Sequence, residues 1–129
     1  MPMANPKSTR NVGFDDIMRK DSRVILALDE VRPERAFWVA EQVHDLVDAI
    51  KINWPLVLAT SPETITRLSK MAPVICDFKV ADIPNTVSLI VSQAVQRGAE
   101  GVIVHGFTGS DSVRAAVEAA DGRKIFVVT

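Results

Sequence analysis

Two carboxylates and one lysine lie within six positions of the segment "VICDFKVADIPNTVS", residues 74–88. Asp77, Lys79 and Asp82 follow an apolar run at positions 74–76. An ammonium held beside a carboxylate can protonate a carbanion, while the carboxylate disfavours a second negative charge nearby. Charges at the end of an apolar strand also form solvated, salt-bridged rims, so the charge pattern by itself leaves both interpretations open.

Two more charged residues occupy comparable places in other apolar runs. Asp29 ends the run "VILAL", and Lys51 lies in the run "AIKI". Side chains alternate along a strand, so Asp77 and Lys79 should point the same way. Alternating charges from Lys51, Asp77, Lys79 and Asp82 would satisfy one another, which is how buried charges are tolerated. The shared position at strand ends favours a site over a solvated rim.

The elements that must position these residues are predicted from five short, β-branched apolar runs. Their starts are 23 to 27 residues apart, at Val24, Ala49, Val74, Gly101 and Lys124. One βαβ unit takes roughly 30 residues, so the spacing indicates one β-α unit per step. The runs are nearly continuous rather than alternating, as expected for parallel strands covered by helices.

Four main helices are predicted between these runs from apolar residues at helical spacing. The first three follow Pro33, Pro62 and the "DIPNT" turn, and the fourth is indicated by Val113, Ala116, Val117 and Ala120. The last two end near Gly98 and Gly122. In "DIPNT", Pro84 pre-sets the backbone and Asp82 or Asn85 is a candidate helix cap. A small helix is also predicted around "FDDIMRK", and residues 1–13 are predicted to be flexible.

Serial β-α units form either a doubly wound sheet or a (β/α)8 barrel. The first strand lacks a following G-x-G-x-x-G segment, which disfavours dinucleotide binding, and polar strand ends favour the barrel. A barrel usually takes about 250 residues, whereas the chain has 129 and stops after its fifth apolar run. The predicted fold class is therefore α/β: a single domain over residues 1–129, built as roughly the first half of a TIM-type barrel.

Composition narrows the classes of partner and location. The chain is 47% hydrophobic and 24% charged, with a net charge of −1, which gives no electrostatic case for nucleic acid or an anionic membrane surface. Cys76 is the only cysteine, so no intrachain disulfide is possible. We find no apolar stretch of signal-peptide or membrane-span type, and we predict a soluble, cytoplasmic protein.

Four segments resemble the orotidine 5′-monophosphate decarboxylase family, in order and with suitable spacing. They are "ILALD" (25–29), "IKINWPLVL" (50–58), "DFKVADIPNT" (77–86) and "VIVHGFTGSDSV" (102–113). The compact archaeal enzymes are the most similar branch, and the D-x-K-x-x-D-I-P-x-T string is highly specific. The resemblance implies a (β/α)8 barrel that works as a homodimer without metal or organic cofactor. It also implies conversion of orotidine 5′-monophosphate to uridine 5′-monophosphate and carbon dioxide.

The resemblance assigns catalytic and binding roles to residues at the strand ends. Lys79 matches the lysine that protonates C6 of the pyrimidine, and Asp77 matches the aspartate that faces the substrate carboxylate. Ground-state repulsion from that aspartate is one disputed contribution to catalysis. Asp29 and Lys51 match residues that hold the ribose hydroxyls, with Lys51 also paired to Asp77.

Other matched positions lie at the predicted dimer interface or support the site. Asp82, Ile83 and Thr86 match residues that the family supplies to the neighbouring subunit's site. His105 is either a ligand-polarising residue or a hydrogen-bonded strand-end residue, and Gly106 shapes the following loop. The two tryptophans, at positions 38 and 54, are predicted to be packing residues.

Part of the family's pattern is missing from these 129 residues, which leaves two alternative functions. The family's lid and phosphate-binding loops follow strands five, seven and eight, so these 129 residues should be weak or inactive alone. One alternative is thus a non-catalytic half-barrel or assembly module. The other is a Mg²⁺-dependent 3-keto-gulonate-phosphate decarboxylase or hexulose-phosphate synthase, disfavoured because Lys51 stands where those enzymes place a glutamate.

Overall fold

The computed structural model describes residues 21–129, which form one five-stranded parallel sheet with helices between the strands. The strands pair in chain order, and they are β1 (Ile25–Leu28), β2 (Ala49–Ile52), β3 (Val74–Val80), β4 (Gly101–His105) and β5 (Lys124–Val128). The helices are α1 (Pro33–Val43), α2 (Trp54–Ala59), α3 (Glu63–Ser69), α4 (Pro84–Gln96) and α5 (Ser110–Ala120). The predicted half-barrel arrangement is confirmed, and β3 extends beyond the apolar run at 74–76 to Val80.

Helix α2 is an element that the sequence pattern did not predict. It has six residues, too few for an apolar period to show. Its start is set locally, because the side-chain oxygen of Asn53 accepts a hydrogen bond from the backbone N–H of Trp54 at 2.7 Å and Pro55 follows in the first turn. Trp54, the first residue of the helix, lies on the helix-covered side of the sheet and contacts Phe78 of β3.

One face of the sheet holds the main core together with the helices. The fully buried strand residues on this face are Ile50, Ile52, Val74, Cys76, Val102 and Val104. They alternate along each strand with residues on the opposite face, as strand geometry requires. Each helix between strands buries an apolar stripe against this face, which matches the predicted helical periodicity.

The opposite face is much less covered in residues 21–129. It carries a separate small cluster made of Ile25, Ala49, Ile75, Ile103 and Phe126. Only Ala49 and Ile75 of this set are buried. In a closed barrel this face would be the interior, which side chains from all strands fill in layers.

The predicted helix ends agree with the backbone. Gly98 follows α4 at φ +109°, and Asp121 and Gly122 follow α5 at φ +48° and +88°, which are left-handed conformations that stop a helix. The helix predicted around "FDDIMRK" and the flexibility predicted for residues 1–13 lie outside the described residues. Between residues 21 and 129 we find no helix with the length and apolar character to cross a membrane.

Candidate active site

Three charged side chains meet at the carboxyl ends of β2 and β3. The Asp77 carboxylate is nearly buried, with its residue 5% exposed. Lys79 Nζ lies 2.8 Å from Asp77 Oδ1 and 2.9 Å from Oδ2, and Lys51 Nζ lies 3.5 Å from Oδ2. Lys51 and Lys79 keep 33% and 48% of their side-chain surface exposed. Two ammonium groups therefore share one buried carboxylate, with open space on the lysine side.

The backbone at Lys79 departs from regular strand geometry. Lys79 has φ +46°, a left-handed conformation that is rare for residues other than glycine. The register between β3 and β4 shifts between Cys76 and Val80, so residues 77–79 of β3 lie opposite the single residue Ile103 of β4. The predicted meeting of Asp77 and Lys79 is present, but the strand that carries them is irregular at that point. Strained backbone of this kind concentrates at functional sites.

Trp54 contacts the strand directly behind this pair. Its indole N–H donates a hydrogen bond to the carbonyl oxygen of Phe78 at 3.1 Å. The two rings are stacked, with centroids 4.2 Å apart and planes 20° apart. Phe78 is buried on the helix side while Asp77 and Lys79 lie on the other, so the predicted alternation holds for these three side chains.

Asp82 lies apart from the two lysines within one chain. Its Oδ1 accepts a hydrogen bond from the backbone N–H of Ile83 at 2.7 Å, and its carbonyl oxygen accepts one from the buried Ser112 hydroxyl at 2.7 Å. Among residues 21–129 its carboxylate makes no ion pair, so the four-membered charge network expected from the sequence does not form in a single chain. The expected helix cap is also absent, because Ile83 is the N-cap of α4 and no side chain caps it.

The remaining predicted binding residues line the same edge of the sheet. Asp29 follows β1 and is exposed, and Thr86 is half-buried in the first turn of α4. Next to Asp29, Glu30 accepts hydrogen bonds at 3.1 Å from the side chain and the backbone N–H of Arg32. These bonds hold the pKa of Glu30 at about 2, below its usual 4.5. They fix the loop that begins at Asp29.

His105 and Gly106 end β4 beside this edge. The His105 carbonyl oxygen accepts a hydrogen bond from the Thr108 hydroxyl at 3.3 Å, and its imidazole packs on Phe107 with centroids 4.9 Å apart. The N–H of Gly106 donates to the Val128 carbonyl oxygen at 2.9 Å. A Cβ at Gly106 would lie 3.2 Å from that oxygen, so the tight β4–β5 approach favours glycine.

The carboxylates, imidazoles and thiol of this part of the chain do not form a metal-binding group. Within residues 21–129, no three His, Cys, Asp or Glu side chains gather closely enough to hold a metal ion. The charged group that β2 places beside Asp77 is the Lys51 ammonium. This positive charge would repel a cation. The chemistry available here is positioning and proton delivery by the lysines beside a fixed negative charge.

The profile of the "Orotidine 5′-phosphate decarboxylase / HUMPS family" matches residues 22–129. The chain belongs to this family. An orotidine 5′-phosphate decarboxylase from Methanosarcina mazei is 51% identical over 114 residues, covering 87% of the chain and 52% of the relative. One from Thermoplasma volcanium is 50% identical over 108 residues, covering 84% of the chain and 49% of the relative.

Solved structures of the family agree with the fold. The orotidine 5′-monophosphate decarboxylase of Methanocaldococcus jannaschii, complexed with the inhibitor BMP, superimposes with a TM-score of 0.78 at 45% identity. The match covers 82% of the chain and 51% of that structure. The chain thus spans about half the length of the relatives that it matches. It corresponds to an N-terminal half of the decarboxylase barrel.

Two contacts at the site were not predicted from the sequence, one made by the Trp54 N–H and one by the Ser112 hydroxyl. Trp54 was predicted only to pack, and it does stack on Phe78, but its N–H also binds the strand backbone. Trp38, also predicted to pack, is 56% exposed. The buried Ser112 holds the Asp82 carbonyl across 30 positions of sequence, a contact for which spacing carries no signal.

Proposed function

We propose that this chain carries the catalytic strand ends of an orotidine 5′-monophosphate decarboxylase, which forms uridine 5′-monophosphate and carbon dioxide without a cofactor. The observation that carries the proposal is the carboxylate of Asp77 between the ammonium groups of Lys51 and Lys79, in a chain of this family. The curated relatives cited above are named for the same activity.

In the proposed reaction Lys79 delivers a proton to C6 of the pyrimidine as the carboxylate leaves. The bond from C6 to the carboxyl carbon breaks, its electron pair stays on C6, and the Lys79 proton neutralises that carbanion. Asp77 holds Lys79 at 2.8 Å and places a fixed negative charge beside the departing carboxylate. Because the ammonium is already oriented, little reorganisation is needed when negative charge develops.

Substrate positioning is assigned to the surrounding strand ends. Asp29 and Lys51 are proposed to hold the ribose hydroxyls. Both reach solvent at the carboxyl edge of the sheet, where ligands of parallel α/β folds bind. His105 and Gly106 are proposed to support this edge rather than to touch the substrate.

We propose a homodimer in which Asp82, Ile83 and Thr86 complete the partner's site. Asp82 makes no ion pair in its own described chain, and Ile83 is 64% exposed in front of α4. On the same helix, Leu89 is 59% exposed beside an apolar cavity of about 320 Å³. Exposed apolar side chains of this kind, at the start of α4 and within it, are suited to burial against a second copy.

The decisive assay follows the loss of orotidine 5′-monophosphate absorbance, with and without a chelator. The chain should be measured alone and together with the C-terminal half of the Methanosarcina mazei relative, since it spans only 52% of that protein. Activity that survives the chelator and disappears in Lys79→Ala is expected. Asp29 and Lys51 variants should mainly raise KM, because they are assigned to binding.

Two other results would replace the proposal. Strict dependence on Mg²⁺ would favour the related Mg²⁺-dependent enzymes on this scaffold. Failure of the chain to decarboxylate in either arrangement would favour a non-catalytic half-barrel, for which the little-covered second sheet face is the supporting observation. The cytoplasmic location remains a prediction from composition.

A further inference from the structure

Trp54 contacts the peptide group that sets the backbone conformation of Lys79. The carbonyl oxygen that accepts its indole N–H belongs to Phe78, so it lies in the peptide plane that joins Phe78 to Lys79. The orientation of that plane relative to the Lys79 Cα defines the φ angle of Lys79, which is +46°. A hydrogen bond to this oxygen therefore acts on the angle itself.

The sheet does not hold that peptide plane by regular pairing. The β2–β3 register ends at Cys76, and the β3–β4 register skips from Cys76 to Val80. A left-handed lysine persists only where surrounding contacts over-determine it. In the described residues those contacts include the Lys79–Asp77 ion pair in front of the strand and the Trp54–Phe78 contact behind it.

We infer that Trp54 is a positioning residue for Lys79. Its N–H fixes the Phe78–Lys79 peptide, and its ring, stacked on Phe78, prevents that segment from relaxing into regular strand. The Lys79 ammonium is thereby kept on the Asp77 carboxylate. The inference rests on the proposed function in one respect, the role of Lys79 as proton donor, and Trp54 acts from the helix-covered side of the sheet.

The test compares the chemical reactivity of two lysines that share one carboxylate. Trace acetylation with acetic anhydride, followed by mass spectrometry, gives the labelling of Lys79 relative to Lys51. Trp54→Phe keeps a ring and removes the donor. A closer isostere is 3-benzothienylalanine at position 54, in which sulfur replaces the N–H, introduced in a Trp38→Phe background. Trp38→Phe alone is the matched control, since Trp38 is 56% exposed.

Loss of the donor should raise the labelling of Lys79 relative to Lys51 about three- to tenfold, the range expected for one lost hydrogen bond. The control should leave the ratio unchanged. An unchanged ratio with the isostere would overturn the inference. Lysines 51 and 79 becoming more reactive together would also overturn it, because the substitution would then have loosened the whole sheet edge.

Labelling needs no turnover, so the positioning role of Trp54 and the proposed function are tested independently of each other. If no decarboxylation is found, the labelling ratio still decides the role of Trp54. Where the assembled protein decarboxylates, Trp54→Phe should lower kcat about tenfold and leave KM within about twofold, as expected for a group that matters only in the transition state. A rise in KM with unchanged kcat would contradict the role.

Discussion

At the scale of single residues, Lys79 combines two demands that conflict. Its ammonium must stay on Asp77, 2.8 Å away, and its backbone is held at φ +46°, which is unfavourable for a residue with a Cβ. The side chain that we propose as the proton donor thus occupies a position where glycine would suit the backbone better. Such conflicts are expected at functional sites and are offset by contacts elsewhere in the fold.

This conflict gives a stability prediction with an unusual sign. Lys79→Gly and Lys79→Ala both remove the ammonium, and they differ mainly in their tolerance of the left-handed conformation. We expect Lys79→Gly to be more stable to urea than Lys79→Ala by about 1 kcal/mol. The same pair of substitutions at Val80, where φ is not positive, should give the reverse order. Equal stability of the two Lys79 variants would mean that the backbone relaxes when the lysine is removed.

The residue-scale predictions from sequence succeeded where periodicity decides and failed where single contacts decide. Strand alternation and the common edge of parallel strands predicted that Lys51, Asp77 and Lys79 lie close together, and their ion pairs agree. Neither rule gives the φ of Lys79 or the bond from Trp54, because both depend on the irregular end of β3. Asp82 was expected near the lysines on charge alone, but its carboxylate binds the Ile83 N–H instead.

At the scale of elements, β3 carries the proposed catalytic pair and is also the central strand of the sheet. It has neighbours on both sides, β2 and β4, and its first four residues are all buried. The apolar runs and their 23- to 27-residue spacing were sufficient to predict all five strands. The six-residue α2 was missed because its start depends on Asn53 and Pro55 rather than on periodicity.

The burial of β3 makes the stability of the chain sensitive to alkaline pH through Cys76. Burial raises the pKa of this thiol to about 12 from its usual 9.0. Above pH 9 the unfolded chain loses a proton that the folded chain keeps, so stability falls as pH rises through this window. Between pH 8 and pH 10 the contribution lost should be about 1 kcal/mol, measured as the free energy of unfolding in urea.

Cys76→Ala isolates this contribution. The variant starts from a lower stability because it removes a buried sulfur, but its decline between pH 8 and pH 10 should be shallower than that of the parent chain. Native Cys76, which is 0% exposed, should also resist iodoacetamide until urea is added. Parallel declines in the two proteins would show that the thiol does not cause the pH dependence.

At the scale of the whole molecule, residues 21–129 present two kinds of surface that suit association. Strands β1 and β5 each have a single neighbour in the sheet, which leaves open edges for pairing with another chain. Separately, α4 exposes Leu89, which lines the apolar cavity at Trp54, and Ile83 is exposed at the N-cap of α4. The proposed homodimer uses the second surface, whereas an assembly of half-barrels would use the first.

Light scattering on three variants separates these two modes of association. Leu89→Asp places a charge on α4 and should weaken the dimer at least about tenfold, as expected for a central apolar contact. Leu46→Asp is the matched control, because Leu46 is 66% exposed and follows α1 in the chain. Val127→Lys, on β5, should have little effect on the proposed homodimer. If Val127→Lys dissociates the assembly and Leu89→Asp does not, the chain associates through its sheet edge, and Asp82 then has no partner site to complete.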